Sequence, residues 1–93
     1  MEPAKRKRTT LILYRKRMGY SQKFVAQLLG LKDSATLCHY ERGYSMPSLP
    51  VALGLEIIFR VPVAFLFPRL YDEQRAEIRK AEEIAASGQG MLF

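Results

Sequence analysis

The chain has 93 residues, 48% hydrophobic and 26% charged, a composition that suits one small globular domain and leaves no room for a second. Its single cysteine excludes an intrachain disulfide, and the best apolar run, Val61 to Phe67, is too short and too interrupted by Pro62 to span a bilayer. Net charge is +6, with nine Lys or Arg against one Glu between Met1 and Lys32, so a polyanion is the expected partner of that third of the chain, nucleic acid foremost.

Residues 1–9 hold the basic run Lys5-Arg6-Lys7-Arg8 and no apolar periodicity, and are expected to form a flexible arm. A first helix is expected from about Thr10 to Met18, with Leu11 and Tyr14 facing inward and Gly19 ending it. Ser21 is a good N-cap for a second helix, Gln22 to Leu29, whose Val25, Leu28 and Leu29 are expected to face the core. Gly30 closes it. Asp33 and Ser34 offer caps for a third helix to about Arg42, ended by Gly43, with Thr36, Leu37 and Tyr40 inward.

Tyr44 to Ser48 reads as a loop. Ser48 can cap a fourth helix, Leu49 to about Phe59, whose almost wholly apolar sequence predicts a place at the centre of the fold. A short fifth helix follows, with Pro62 in its first position and Pro68 stopping it. The last helix is expected over Asp72 to Ala86, carrying a thin apolar stripe, and beyond Ser87-Gly88-Gln89-Gly90 lies the apolar cluster Met91-Leu92-Phe93. No strand period appears. The division expected is an arm over 1–9, a helical domain over 10–68 and a C-terminal helix with its tail over 69–93.

Helix, three-residue turn, helix across Gln22 to Arg42 is the geometry of a helix-turn-helix, with Ala26 small where two helices cross and Gly30 free to take positive φ. Ser21-Gln22 opening the second helix, Leu29-Gly30 closing it, Glu41-Arg42-Gly43 closing the third and Pro47-Ser48-Leu49 after it resemble the phage-repressor and Cro type of helix-turn-helix protein. The resemblance runs from Thr10 to about Phe67. It implies an all-α, five-helix, lambda-repressor-like domain that binds double-stranded DNA, commonly as a homodimer, with the third helix in the major groove.

By position, the resemblance implies that Ser34, Ala35, Cys38 and His39 meet base edges or the adjoining backbone. Gln22 and the free N–H groups beside it would hold a phosphate, with Lys23 adjacent, and Lys32, Arg42, Tyr44 and Ser45 would make further phosphate contacts. Arg15 and Glu41 match a structural ion pair tying the first helix to the third. Two departures stand out. One residue more than usual separates Gly30 from Tyr40, placed here at Lys32, which leaves the register of the base-reading residues open by one. The base-reading face of the third helix also lacks the Gln, Asn or Arg that bind A or G with two hydrogen bonds, so specificity is expected to lean on DNA shape, thymine methyls or the Lys5 to Arg8 arm.

Other chemistry has little support in the sequence. Cys38 and His39 diverge by about 100° on a helix and have no further His or Cys to complete a metal site, so no metal or cofactor is expected. A redox role for Cys38 competes with its being a small residue at a crowded surface. No nucleophile elbow, phosphate-cradling glycine loop or convergent carboxylate pair is present, and no catalytic activity is expected. The expected function is a cytoplasmic transcriptional regulator acting as a repressor. The alternative is an antitoxin or adaptor on the same fold that grips a protein partner through its C-terminal segment.

Overall fold

The computed structural model describes residues 9–88, and the basic run Lys5 to Arg8 and the Met91-Leu92-Phe93 cluster lie outside them. Six helices follow in order: α1 (Leu11–Met18), α2 (Gln22–Leu29), α3 (Ser34–Arg42), α4 (Leu49–Phe59), α5 (Val63–Leu66) and α6 (Pro68–Gly88). No strand occurs among the described residues.

Local chemistry starts these helices where polar caps stand. Ser21 Oγ accepts from the Phe24 N–H at 3.0 Å, Asp33 Oδ1 from Thr36 N–H at 3.3 Å and Ser48 Oγ from Val51 N–H at 3.4 Å, each satisfying a donor the helix cannot. Thr10 precedes α1 without capping it, because its hydroxyl donates instead to the Phe65 carbonyl at 2.7 Å and fastens the start of α1 to α5. Gly30 ends α2 at φ 73°, a conformation that costs an L-residue about 1–2 kcal/mol. The turn between α2 and α3 holds four residues, Gly30 to Asp33, rather than three: the extra residue is absorbed there, and Asp33 takes the cap.

The core is one cluster to which each of the first five helices contributes, built from Leu11, Val25, Leu37, Leu55, Phe59 and Leu66, with Phe67 just beyond α5. Of three expectations about facing, two are corrected and one is extended. Leu28 is 52% exposed, and Ala26 replaces it beside Val25 on the inward side of α2, since 28 lies about 100° round from 29. Thr36 is half-buried, as Tyr40 is, and Glu41 joins Leu37 as the other fully buried residue on the inward face of α3. α4 is not enclosed: Ala52, Leu55 and Phe59 are buried, but Leu49, Leu53 and Ile57 form an outward stripe, Ile57 being 74% exposed. Apolar composition alone could not reveal this, because a helix flanked on one side has no periodic polar face to betray it.

Gly54 permits the α2–α4 approach, since a Cβ there would stand 2.8 Å from Leu29 Cδ2. Arg60 ends α4 in the left-handed region at φ 61°, where glycine would be unstrained. Pro68 does end α5 as expected, and it also opens α6, four residues earlier than Asp72. Pro is well suited to a first helical position, and Leu70 in the added turn packs on the core. Beyond that turn α6 has no buried residue.

Candidate nucleic-acid interface

The third helix carries the site because its two sides are so different. Leu37 and Glu41 are buried and Tyr40 half-buried, which orients α3 by that side; Ala35, His39 and Arg42 then fall on the opposite, exposed side. Cys38 and Ser34 are half-buried at its flank. Of the residues expected to meet bases, then, the structure presents Ala35 and His39 fully and Cys38 and Ser34 in part.

The last turn of α3 and the loop after it form a small cluster. Arg42 Nε donates to Cys38 Sγ at 3.3 Å, one turn back along the helix. The Cys38 sulfur first, and the Tyr44 oxygen after it, raise the pKa of the exposed Arg42 guanidinium above its ordinary value. The His39 ring meets the Tyr44 ring edge-on with centroids 5.7 Å apart. This pairing restricts an otherwise free imidazole and joins an expected base-reading residue to an expected phosphate-contacting one. Ser45 follows Tyr44 and is exposed. Lys23 at the start of α2 and Lys32 in the turn are exposed as well. Ser21 caps α2, but the N–H groups of Gln22 and Lys23, one and two residues into the helix, have no acceptor within it, an arrangement suited to an anion.

Beneath this surface lies the ion pair. Arg15 Nε donates to Glu41 Oε2 at 2.5 Å and Nη2 to Oε1 at 3.3 Å, while Nη1 donates to the Tyr20 carbonyl at 3.1 Å. The side chains are 12% and 1% exposed, respectively. Gln22 Nε2 donates to Glu41 Oε1 at 2.8 Å, so the glutamine expected to reach for phosphate is also the third member of this network. Thr9 Oγ1 donates to the Glu41 carbonyl at 2.8 Å, which fixes the root of the N-terminal segment against the end of α3. Sequence reasoning missed these roles of Gln22 and Thr9. They lie 19 and 32 positions from Glu41, and no local pattern encodes such a contact.

Residues 11–66 match the helix-turn-helix family of the Cro/C1 type, a span that takes in α1 through α5. The chain belongs to this family. It is a helix-turn-helix DNA-binding regulator, all-α in fold, and its α2, turn and α3 form the motif. No curated protein matches the sequence of this regulator. No helix among its described residues is long and apolar enough to cross a membrane.

Proposed function

We propose that the chain is a cytoplasmic, non-catalytic transcriptional repressor that binds a specific operator in double-stranded DNA as a homodimer. The observation that carries this reading is the exposed side of α3, where Ala35, His39 and Arg42 sit, with Cys38 at its flank, on a helix held from behind by the Arg15–Glu41–Gln22 network. In this reading α3 enters the major groove. Ala35 offers a methyl to thymine, His39 and Ser34 offer single hydrogen bonds, and Cys38 lies at the edge of the contact. Arg42, Tyr44 and Ser45 take one phosphate strand, while Lys23, Lys32 and the start of α2, with the remaining hydrogen-bonding capacity of Gln22, take the other side of the groove.

The basic arm adds a further contact. Its attachment point, Thr9, is fastened to the last turn of α3, the helix that meets the duplex in this reading. Repression follows from occupancy, by exclusion of polymerase from the operator.

Selection of duplexes from a random library at about 0.15 M salt tests the reading, because non-specific phosphate binding is weakened there. Enrichment of an inverted repeat with half-sites about 10 base pairs apart is the expected result. Flat retention across sequences would refute specific operator binding and favour a protein-interaction role for the fold.

A further inference from the structure

α6 is 21 residues long, and only its beginning touches the body of the protein. At 3.6 residues per turn, Leu70, Tyr71, Gln74, Ile78, Ala81 and Ala85 fall along one side. Leu70 seats that side on the core, and the stripe then runs on into solvent, with Ile78 at 52% exposure and Ile84 at its edge at 63%. At its base lies an apolar hollow of about 370 Å³, walled by Met46, Pro47, Val63, Phe67, Leu70 and Tyr71. A protruding half-helix of about 14 residues is marginal in water without a partner for such a stripe.

We infer that a second copy of the chain covers this surface, its α6 lying antiparallel to the first and its Met91-Leu92-Phe93 segment filling the hollow. This rests on the homodimer reading above and assigns its interface. Three features of the chain select the arrangement. With Ile78 set opposite Ala81 of the second copy, Gln74 meets Ala85 and Tyr71 meets Gly88, so each layer pairs a larger side chain with a small one. A parallel pair would stack Ile78 on Ile78 and Tyr71 on Tyr71, then leave layers of alanine against alanine.

Charge points the same way. Antiparallel packing sets Arg75 beside Glu82 of the second copy twice along one flank, whereas parallel packing brings Glu77 beside Glu82. The intrachain pairs these groups now make, Arg75 with Asp72 and Arg79 with Glu82, are exposed i,i+3 contacts worth little and easily shared.

Reach excludes the chain's own tail as the occupant. Gly88 lies about 27 Å along the helix axis from Leu70 at 1.5 Å per residue. The five residues from Gly88 to Phe93 span at most about 18 Å when fully extended. In the antiparallel pair, by contrast, Gly88 of the second copy lies opposite Tyr71, a wall of the hollow, so the hollow is within the roughly 11–18 Å that the residues after Gly88 can span.

Sedimentation equilibrium of the full chain without DNA tests the inference. Ile78→Glu is expected to weaken self-association by at least about 30-fold, the effect of losing a central interface residue, while the melting temperature of the body, read at concentrations where both proteins are monomeric, stays unchanged because Ile78 is exposed and outside the core cluster. Removal of residues 89–93 is expected to weaken it at least about tenfold. In a Cys38→Ser background, an equal mixture of Ile78→Cys and Ala81→Cys chains should oxidise mainly to the mixed disulfide; predominance of the Ile78→Cys homodimer would overturn the antiparallel order. A wild-type dimer unaffected by Ile78→Glu would remove α6 as the interface and leave the dimeric regulator standing, with the Leu49-Leu53-Ile57 face of α4 as its surface. A wild-type chain that binds DNA only as a monomer would remove both readings, and full-strength association without residues 89–93 would empty the hollow of its assigned occupant.

Discussion

Glu41→Ala should be among the most damaging single changes available in this protein. The substitution leaves the Arg15 guanidinium at 12% exposure without its carboxylate and removes the acceptor of the Gln22 amide. Only the Tyr20 carbonyl remains to Arg15 of the partners described here. Breaking a buried pair from one side costs about 3–5 kcal/mol, because the surviving charge stays desolvated and uncompensated. A domain with roughly 80 ordered residues has about 4–12 kcal/mol in all. Urea denaturation followed by helix ellipticity should therefore show a midpoint displaced by about a quarter or more at unchanged slope, and a thermal midpoint lower by at least about 12 °C.

The double variant Arg15→Met/Glu41→Leu separates the cause. It removes both charges and fills the space with apolar atoms, so it should recover most of the loss, and the Gln22 amide and Tyr20 carbonyl, each without its partner, should keep it below wild type. Glu41→Ala within about 1 kcal/mol of wild type would refute the claim that the pair is desolvated. A double variant as unstable as Glu41→Ala would show that α1 and α3 are held by shape rather than by compensated charge.

Arg60→Gly relieves a left-handed residue and should raise stability by about 1 kcal/mol in the same denaturation assay, since no described hydrogen bond or ion pair depends on the Arg60 side chain. Gly54→Leu should lower stability by about 1–3 kcal/mol by forcing Leu29 out of its place between α2 and α4. Neutral replacement of Lys23 and Arg42 together should weaken binding on every duplex alike and reduce the slope of log affinity against log salt by about 2, as read by fluorescence anisotropy at several salt concentrations. Ala35→Gln or His39→Ala should instead change which sequences are enriched, by about 1–3 kcal/mol at the affected base pair, with the salt slope unaltered. A uniform loss from Ala35→Gln would move that residue off the base edges.

Much of this protein is legible along the chain because it is fixed by short-range chemistry. Ser21, Asp33 and Ser48 cap α2, α3 and α4 within three residues of themselves, Gly30 supplies the positive φ of the motif's turn, and Pro62 and Pro68 bracket α5. The spacing of Leu37, Tyr40 and Glu41 along α3 is enough to leave Ala35, His39 and Arg42 on the other side, so the exposed surface of α3 follows from helical periodicity once the helix is placed. Tertiary structure decided the rest. Whether Leu28 or Ala26 turns inward depends on how closely α2 approaches its neighbours, and which side of the nearly all-apolar α4 meets solvent depends on what packs against it. Gln22 and Thr9 join Glu41 only because three distant segments converge on this one residue, Gln22 at its carboxylate and Thr9 at its main-chain carbonyl. The start of α6 at Pro68 was decided in the same way: a proline permits a helix to begin there, but the seat that Leu70 finds on the core is a property of the assembled fold.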